Sequence, residues 1–173
     1  MHPVVGKKKP GDYHARYIIA SYEKMMKEFY PKNNVVFSVF TTYSRYAGPR
    51  EALFTALCRK NYGCSHFIVG RDHTGVGNFY PPTASHEVFT RFPDIGIKAV
   101  TFDHVFYSKK LEEHVHAREM NGHAAEDQLL ISGTEARKMF EAGAAPPDWF
   151  MRPEISQIIL DALKKGEEVF VGK

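Results

Sequence analysis

The stretch His66-Phe67-Ile68-Val69-Gly70-Arg71-Asp72-His73-Thr74-Gly75 decides the fold class. Its first four residues are bulky and mostly apolar, which is typical of a strand buried in a sheet. This predicted strand runs directly into a glycine-rich loop, and a second strand is predicted at 97–102. The sequence also predicts helices before and between the strands, one that begins at Pro49 and one at 85–92. Helices and strands that alternate at this spacing predict parallel βαβ units, whose ligands bind beyond the carboxyl ends of the strands.

The rest of the chain is predicted to add further helices and two short strands. A helix is expected after Asp12, which suits an N-cap, and the apolar run 35–40 predicts a buried strand. A brief strand at 129–131, a helix after it and a last helix from Pro153 follow. The expected fold class is therefore α/β, a parallel sheet with helices on both faces followed by a small helical C-terminal part. We expect the α/β domain to span residues 1–128 and the C-terminal segment to span residues 129–173.

Composition and charge exclude several classes of protein. The 173 residues are 43% apolar and 25% charged, and the formal net charge of +3 does not indicate a nucleic-acid partner. No apolar run is long enough to span a membrane, and the N-terminus lacks the apolar stretch of a signal peptide. Two cysteines, Cys58 and Cys64, are too few for a disulfide framework or a cysteine-rich zinc module. These features predict a cytoplasmic protein with no nucleic-acid or membrane partner.

The glycine-rich loop at 70–77 has the strongest chemical signal. Its three glycines allow backbone N–H groups to approach a ligand and to form an anion-binding concavity. Arg71 adds a permanently charged planar donor that suits phosphate or sulfate, and Asp72 and His73 could orient the loop or a ligand. A plain connection in which Arg71 and Asp72 pair with each other would use the same residues. Composition alone leaves both interpretations open.

A second candidate anion site is the segment 131–137. Ser132 and Thr134 lie where a predicted strand ends and a predicted helix begins, and Arg137 follows one turn later. Hydroxyls, free amides and an arginine at a helix N-terminus suit a phosphate group. A plain Ser or Thr N-cap is the simpler interpretation, so the segment alone favours a cap.

Two arginines, Arg45 and Arg50, flank the helix start at Pro49. Either arginine could meet an oxyanion. Arg50 and Glu51 could equally pair with surface charges, and surface ion pairs contribute under about 1 kcal/mol. Both interpretations stay open.

Histidines within 103–128 raise the question of a metal site. The set comprises His104, His114, His116 and His123, with Glu112, Glu113 and Glu119 nearby. His114 and His116 are two residues apart, which would place them on different faces of a helix. No cysteine supports the set, so a solvated loop is favoured and no protein-bound metal is expected.

Five stretches of the chain form a specific pattern when taken together. They are HPVVG-x-x-KPGD at 2–12, R-x-AGPREA at 45–52, RKNYGC-x-HFIVGRDH-x-G at 59–75, ISGTE-x-R at 131–137 and P-x-WF-x-RPE at 147–154. This pattern resembles the ATP sulfurylase (sulfate adenylyltransferase) family, in the order in which that family carries it. The resemblance extends over nearly the whole chain.

The resemblance implies a nucleotidyltransferase-type, Rossmann-like fold and the reaction ATP + sulfate ⇌ adenosine 5′-phosphosulfate + pyrophosphate, a step of sulfate assimilation. ATP would be a substrate with Mg²⁺ on the nucleotide, and Arg71 and His73 would be catalytic. The implied nucleotide-binding residues are Gly70, Arg71, Asp72, His73, Val105, Ser132, Thr134 and Arg137. The backbone N–H of Thr74 would meet the sulfate, although family members often have alanine at this position.

One departure from the family pattern limits this expectation. The family's first motif, Q-x-R-N-P followed by a pair of histidines, does not occur in this sequence. We therefore expect the chain to correspond to the C-terminal part of the catalytic region, and we do not expect it to be active on its own. It would form a homo-oligomer or pair with the N-terminal part that carries the motif. The alternative is a non-catalytic nucleotide-binding fragment or an assembly module of the same family.

Overall fold

A computed structural model describes residues 1–75, 77–116 and 124–172 of the chain. The α-helices in these residues are α1 (Ala15–Glu28), α2 (Pro49–Asn61), α3 (Ala84–Thr90), α4 (Gly133–Glu141) and α5 (Pro153–Lys164). The strands are β1 (His66–Val69), β2 (Lys98–Thr101), β3 (Val105–Ser108), β4 (Glu113–His116) and β5 (Gln128–Leu129). None of the described helices has the length and apolar character needed to cross a membrane.

The chain divides into two compact units. The sheet unit is Ser44–Leu130, and the terminal unit combines Met1–Tyr43 with Ile131–Lys173. The sequence predicts one division, after residue 128, with the first 43 residues in the α/β domain. The predicted domain boundary after residue 128 stays a prediction.

The sheet unit is built around the parallel pair of β1 and β2. His66 lies opposite Lys98, and Val69 lies opposite Thr101. Helices α2 and α3 pack on this pair through a core of Ala52, Ala56, Val69, Phe89 and Ile97. Alanine side chains with no exposed surface let α2 approach the strands closely. The carboxyl ends of β1 and β2 therefore lie at one edge, and the loops that follow them start from fixed positions.

An antiparallel sheet in the same unit was not expected. Strand β3 lies between β4 and β5, with Val105 opposite His116. The sequence predicts irregular structure at 103–128, because histidines and acidic residues interrupt the alternation of apolar and polar residues that indicates a strand. Phe106 and Ser108 are buried whereas Val105 is exposed, which is the alternation of a strand with one buried face.

The terminal unit packs α1 against α5. Its buried core consists of Tyr17, Phe140, Ile159, Ala162 and Val169. The Tyr17 hydroxyl donates to Glu167 Oε2 at 2.7 Å, and Tyr13 forms an antiparallel bridge with Phe170. The tail after α5 therefore pairs with the segment that leads into α1.

Two predicted features of the terminal unit are wrong. No strand forms at 35–40: Val36 is 81% exposed, and Phe40 alone makes a bridge, to Val4. The neighbouring segment contains Pro3, which has no N–H to donate to a ladder.

The predicted helix start at Asp12 is also displaced. Helix α1 begins at Ala15, because the backbone before it is bound to the C-terminal tail. The Asp12 carbonyl accepts the Val171 amide at 2.8 Å, and the His14 amide donates to the Val169 carbonyl at 2.9 Å. Asp12 is therefore a pairing residue and not an N-cap.

Candidate functional site

The loop that follows β1 has a backbone conformation suited to binding an anion. It leaves the sheet at Val69, whose side chain is fully buried, so the start of the loop is fixed by the core. Asp72 (φ +52°) and Thr74 (φ +56°) lie in the left-handed region, whereas their neighbours Arg71 and His73 do not. Alternation of this kind turns N–H groups toward one side of the chain and forms a concavity for anions.

The carbonyl groups of this loop are held by the surrounding structure. Three accept hydrogen bonds from outside the loop: Gly70 from His86 Nε2 (3.1 Å), His73 from Ser85 Oγ (3.0 Å) and Thr74 from the Gly48 amide (3.1 Å). The Thr74 hydroxyl also donates to the Gly48 carbonyl at 3.2 Å. The loop is therefore anchored through its carbonyl side.

The amide groups of the loop fall into two sets. The Asp72 and Gly75 amides donate to backbone carbonyls at 2.8 and 3.1 Å. Among the described residues, the amides of Arg71, His73 and Thr74 donate to no backbone carbonyl. N–H groups without a protein acceptor favour an anionic ligand, because an unpaired donor costs free energy when water is excluded.

The charged side chains of the loop do not neutralise each other. Arg71 and Asp72 are both exposed, and no ion pair joins them in the part of the chain that the structure describes. The Asp72 carboxylate lies against Gly75, where a Cβ would overlap it. A cleft of about 420 Å³ beside them is lined by Arg71, Asp72, Asn78 and Tyr80 among others. The plain connection with a paired Arg71 and Asp72 is therefore not the arrangement found.

His73 is half-buried within this loop. Its imidazole meets the Phe67 ring edge to face, with ring centroids 5.4 Å apart. Burial lowers the pKa of the His73 imidazole; the Glu51 carboxylate opposes this effect, and Arg59 and His86 add to it. The ring is therefore neutral at neutral pH, where it still has one N–H to donate to an anionic oxygen.

We expect the stability of the chain to fall with acidification in a way that depends on His73. Because folding lowers the pKa of His73, unfolding takes up a proton below the ordinary histidine pKa of about 6.5. The free energy of unfolding should be highest above that pH and should decrease as the pH falls toward the folded pKa. Urea unfolding at about pH 7.5 and about pH 5.5 should show a smaller pH effect for His73→Gln than for the wild type. His66→Gln, at an exposed histidine of β1, is the control, and an equal reduction in both variants would contradict the prediction.

Glu51 in the first turn of α2 is buried, contrary to the surface pairing considered from the sequence. It is 3% exposed and accepts hydrogen bonds from the Arg45 amide (2.8 and 3.0 Å) and the Ala47 amide (3.1 Å). The Arg45 guanidinium lies 4.8 Å from the centre of the Phe54 ring, and Arg50 is exposed. The charge of Glu51 therefore holds the turn that precedes α2, at a helix end that favours a negative charge.

Ser85 and His86 in α3 are site residues that sequence reasoning missed. Ser85 is 3% exposed, the His86 side chain is 12% exposed, and both bind loop carbonyls. The available signal was a pair of adjacent polar residues in a short helix directly after the glycine-rich loop. Buried polar residues of this kind need partners, and the loop supplies them.

Val105, the implied adenine contact, begins β3 in the same compact unit as the glycine-rich loop. It is 40% exposed and lies opposite His116. The backbone before it is fixed by a hydrogen bond from the Asp103 amide to His116 Nε2 at 3.0 Å. The role of Val105 stays a prediction.

Ser132, Thr134 and Arg137 lie in the terminal unit at the start of α4, and their polar groups are engaged locally. Ser132 Oγ accepts from the Glu135 amide (3.1 Å), and the Ser132 amide donates to Glu135 Oε2 (2.8 Å). Arg137 Nη2 donates to Thr134 Oγ1 at 3.0 Å. The backbone and side-chain bonds from Ser132 lower the pKa of the Glu135 carboxyl. The simpler interpretation, a helix N-cap, is confirmed, and the nucleotide role of these residues stays a prediction.

The histidines of β4 are not arranged as a helix would arrange them. His114 and His116 share one face of the strand, since side chains two residues apart in a strand point the same way. His114 packs on Tyr107 and His116 on Phe102, with ring centroids 5.3 and 6.0 Å apart. Among the described residues, no group of three or more side chains could hold a metal ion. Two members of the predicted set, Glu119 and His123, lie outside the described residues.

The chain is similar to sulfate adenylyltransferases over most of its length. The ATP-sulfurylase family model matches residues 1–162. A sulfate adenylyltransferase from Ignicoccus hospitalis is 46% identical over 160 residues, which cover 92% of this chain and 42% of that protein. Another from Hyperthermus butylicus is 43% identical, and the match covers 98% of this chain and 44% of that protein.

A solved structure has a similar fold. The hexameric APS kinase from Thiobacillus denitrificans matches with a TM-score of 0.71 and 23% identity, over 92% of this chain and 29% of that chain. This likeness and the parallel strands with their helices confirm the expected α/β fold class. The chain spans less than half the length of the curated relatives it matches. On the family match and the identity to these relatives, the chain belongs to the ATP-sulfurylase family.

Proposed function

We propose that the chain carries the nucleotide-binding part of a sulfate adenylyltransferase site. The reaction is ATP + sulfate ⇌ adenosine 5′-phosphosulfate + pyrophosphate. A sulfate oxygen forms a bond to the α-phosphorus while the bond from that phosphorus to the pyrophosphate oxygen breaks in line with it, and pyrophosphate leaves with the electron pair. Sulfate is already ionised at neutral pH, so no general base is needed. Catalysis depends on holding the anions together and on neutralising charge at the α-phosphoryl group.

The observation that carries this proposal is the orientation of the polar groups in the glycine-rich loop. Three of its carbonyls, those of Gly70, His73 and Thr74, accept hydrogen bonds from residues outside the loop. The amides of Arg71, His73 and Thr74 have no backbone acceptor among the described residues. The exposed Arg71 side chain adds a charge that matches phosphate and sulfate geometry. Together these features favour an anion site over a plain connection.

The proposed roles follow the family pattern. Gly70, Arg71, Asp72 and His73 contact the nucleotide, and Arg71 and His73 stabilise the charge that develops during transfer. The Thr74 N–H meets the sulfate. The Thr74 hydroxyl, which stands where the family often has alanine, has one proton that is shared between the His73 carbonyl (2.7 Å) and the Gly48 carbonyl (3.2 Å). Because the hydroxyl is already bound to the protein, it does not compete for the sulfate position.

The family pattern also supplies roles for residues outside the glycine-rich loop. Val105 contacts the adenine through its backbone, Mg²⁺ arrives with the nucleotide, and the reaction takes place in the cytoplasm, where ATP is available. Ser132, Thr134 and Arg137 form a second phosphate motif, although their cap interactions offer an independent reason for these residue types.

Complete turnover is proposed to need residues beyond this sequence. The chain spans 42–44% of the relatives reported above, and the Q-x-R-N-P motif does not occur in it. Those residues would come from the N-terminal part of the family's catalytic region, with a homo-oligomer as the other assembly to test. The solved neighbour is hexameric, which supports a measurement of oligomeric state.

Nucleotide binding tests the proposal most directly. We expect adenosine 5′-phosphosulfate to bind the chain in titration calorimetry, and Arg71→Ala to weaken this binding about 10-fold to 100-fold, because a hydrogen bond to a charged group contributes about 1.5–3 kcal/mol. Arg91→Ala removes the same charge at an exposed position of the sheet unit and should leave the affinity unchanged. The proposal is wrong if the wild type shows no binding, or if both variants bind equally well.

Turnover separates the enzyme from a pure binding module. Molybdate-dependent pyrophosphate release from ATP should be absent for the chain alone and should appear when a polypeptide carrying the Q-x-R-N-P motif is added. Family-like turnover by the chain alone would contradict the need for that motif. Binding without turnover in either case would favour the non-catalytic module.

A further inference from the structure

His86 contacts both loops that follow the parallel strands. Its Nε2 lies 3.1 Å from the carbonyl oxygen of Gly70, directly after β1, and its Nδ1 lies 3.6 Å from a carboxylate oxygen of Asp103, after β2. The His86 side chain is 12% exposed and the Asp103 side chain is 32% exposed, so the imidazole is largely shielded from water and the carboxylate is partly exposed. One side chain of α3 therefore joins two loops that are separate in sequence.

The contact with Gly70 shows which nitrogen of the His86 ring carries a proton. A carbonyl oxygen only accepts hydrogen bonds, so Nε2 carries the hydrogen. Nδ1 then faces Asp103, with which it forms an ion pair when Nδ1 is protonated as well. The Asp103 amide donates to His116 Nε2 at 3.0 Å, which ties this residue to β4. His86 thus contacts both Gly70 and a residue whose own backbone is anchored, and the contact with Asp103 is attractive in the doubly protonated form of the ring.

Under the proposed function, the two loops bind different parts of the same nucleotide. Gly70 opens the loop whose amides would hold the phosphate groups, and Asp103 stands two residues before Val105, the proposed adenine contact. We propose that His86 is a positioning residue for the nucleotide: it fixes the spacing between the phosphate-binding loop and the adenine-binding segment. This inference rests on the proposed function, whereas the contacts that link the loops do not depend on it.

Other contacts keep the loop attached when His86 is changed. Ser85 holds the His73 carbonyl at 3.0 Å, and the Asp72 amide donates to the Pro82 carbonyl at 2.8 Å. Replacement of His86 should therefore release one end of the loop without unfolding the sheet unit. The affinity for nucleotide can then be measured on a folded variant.

The test compares His86→Gln with His86→Phe in the 173-residue chain. Glutamine can place an N–H donor near the position of Nε2 and keep the Gly70 bond, whereas phenylalanine keeps a ring and loses every donor. Titration calorimetry should show an affinity for adenosine 5′-phosphosulfate about 10-fold weaker for His86→Phe, and a smaller loss for His86→Gln, which keeps the Gly70 bond but not the ion pair with Asp103. Thr90→Ala, at an exposed position of α3, is the control and should bind as the wild type does.

Backbone NMR of the free protein separates positioning from simple packing. His86→Phe should shift the amide resonances of Arg71 and His73 together with those of His104 and Val105, and His86→Gln should shift them less. Wild-type affinity in His86→Phe, or shifts confined to α3, would overturn the inference. If the wild type binds no adenosine 5′-phosphosulfate, the proposed function fails, and the NMR shifts still decide whether His86 couples the two loops.

Discussion

Replacement of Glu51 by alanine is expected to lower the free energy of unfolding by about 3 kcal/mol or more, since two backbone donors lose their acceptor. The Glu51 carboxylate is 3% exposed and accepts the Arg45 and Ala47 amides. Each unsatisfied buried group costs about 1–3 kcal/mol. The first turn of α2 would also lose a favourable negative charge. Urea unfolding followed by far-UV circular dichroism measures the change.

Glu51→Gln separates the hydrogen bonds from the charge. It keeps one carbonyl oxygen as an acceptor, so we expect a loss of about 1–2 kcal/mol. Glu23→Ala, at an exposed position of α1, is the control and should change the stability by less than about 0.5 kcal/mol. If Glu51→Ala and Glu23→Ala unfold at the same urea concentration, the carboxylate does not hold the turn before α2.

Local sequence patterns predicted the elements that have strong local signals. Helices α2 and α5 each have proline at the first position, and β1 occupies the largely apolar run 66–69. The run 35–40 has the same apolar character, yet Val36 is 81% exposed and only Phe40 forms a bridge. A strand also needs a neighbour that supplies N–H and C=O groups, and a local pattern does not contain that information.

The residue types of the candidate site could be found from the sequence, but the direction of its polar groups could not. That direction depends on positive φ angles at Asp72 and Thr74, which are uncommon for residues other than glycine. It also depends on donors far along the chain, the Ser85 hydroxyl and the Gly48 amide, which lie 12 and 26 residues from the loop residues they bind. A surface pairing of Glu51 was one of the interpretations that the sequence left open, and the burial of this carboxylate, with two backbone amides as its donors, is unusual for a charged side chain.

Gly48→Ala is expected to combine backbone strain with a steric clash. Gly48 has φ +53° and ψ −124°, a conformation that costs other residues about 1–3 kcal/mol. A Cβ there would lie 2.5 and 2.8 Å from two carbons of the Tyr80 ring. The same glycine donates to the Thr74 carbonyl and accepts from the Thr74 hydroxyl. We therefore expect a loss of about 3 kcal/mol or more in unfolding free energy and weaker binding of adenosine 5′-phosphosulfate.

Gly63→Ala is the matched control for the Gly48 variant. Gly63 also has a positive φ (+89°), but a Cβ there would have no atom within 4 Å. Gly63→Ala therefore introduces backbone strain without a clash and should lower the free energy of unfolding by about 1 kcal/mol. Tyr80→Ala removes the ring that the new methyl group would overlap. In a protein that carries Tyr80→Ala, Gly48→Ala should therefore lower the free energy of unfolding by at least about 1 kcal/mol less than it does in the wild type. Additive effects of the two substitutions would exclude the ring contact as the cause. Equal losses for Gly48→Ala and Gly63→Ala would instead assign the whole effect to the backbone.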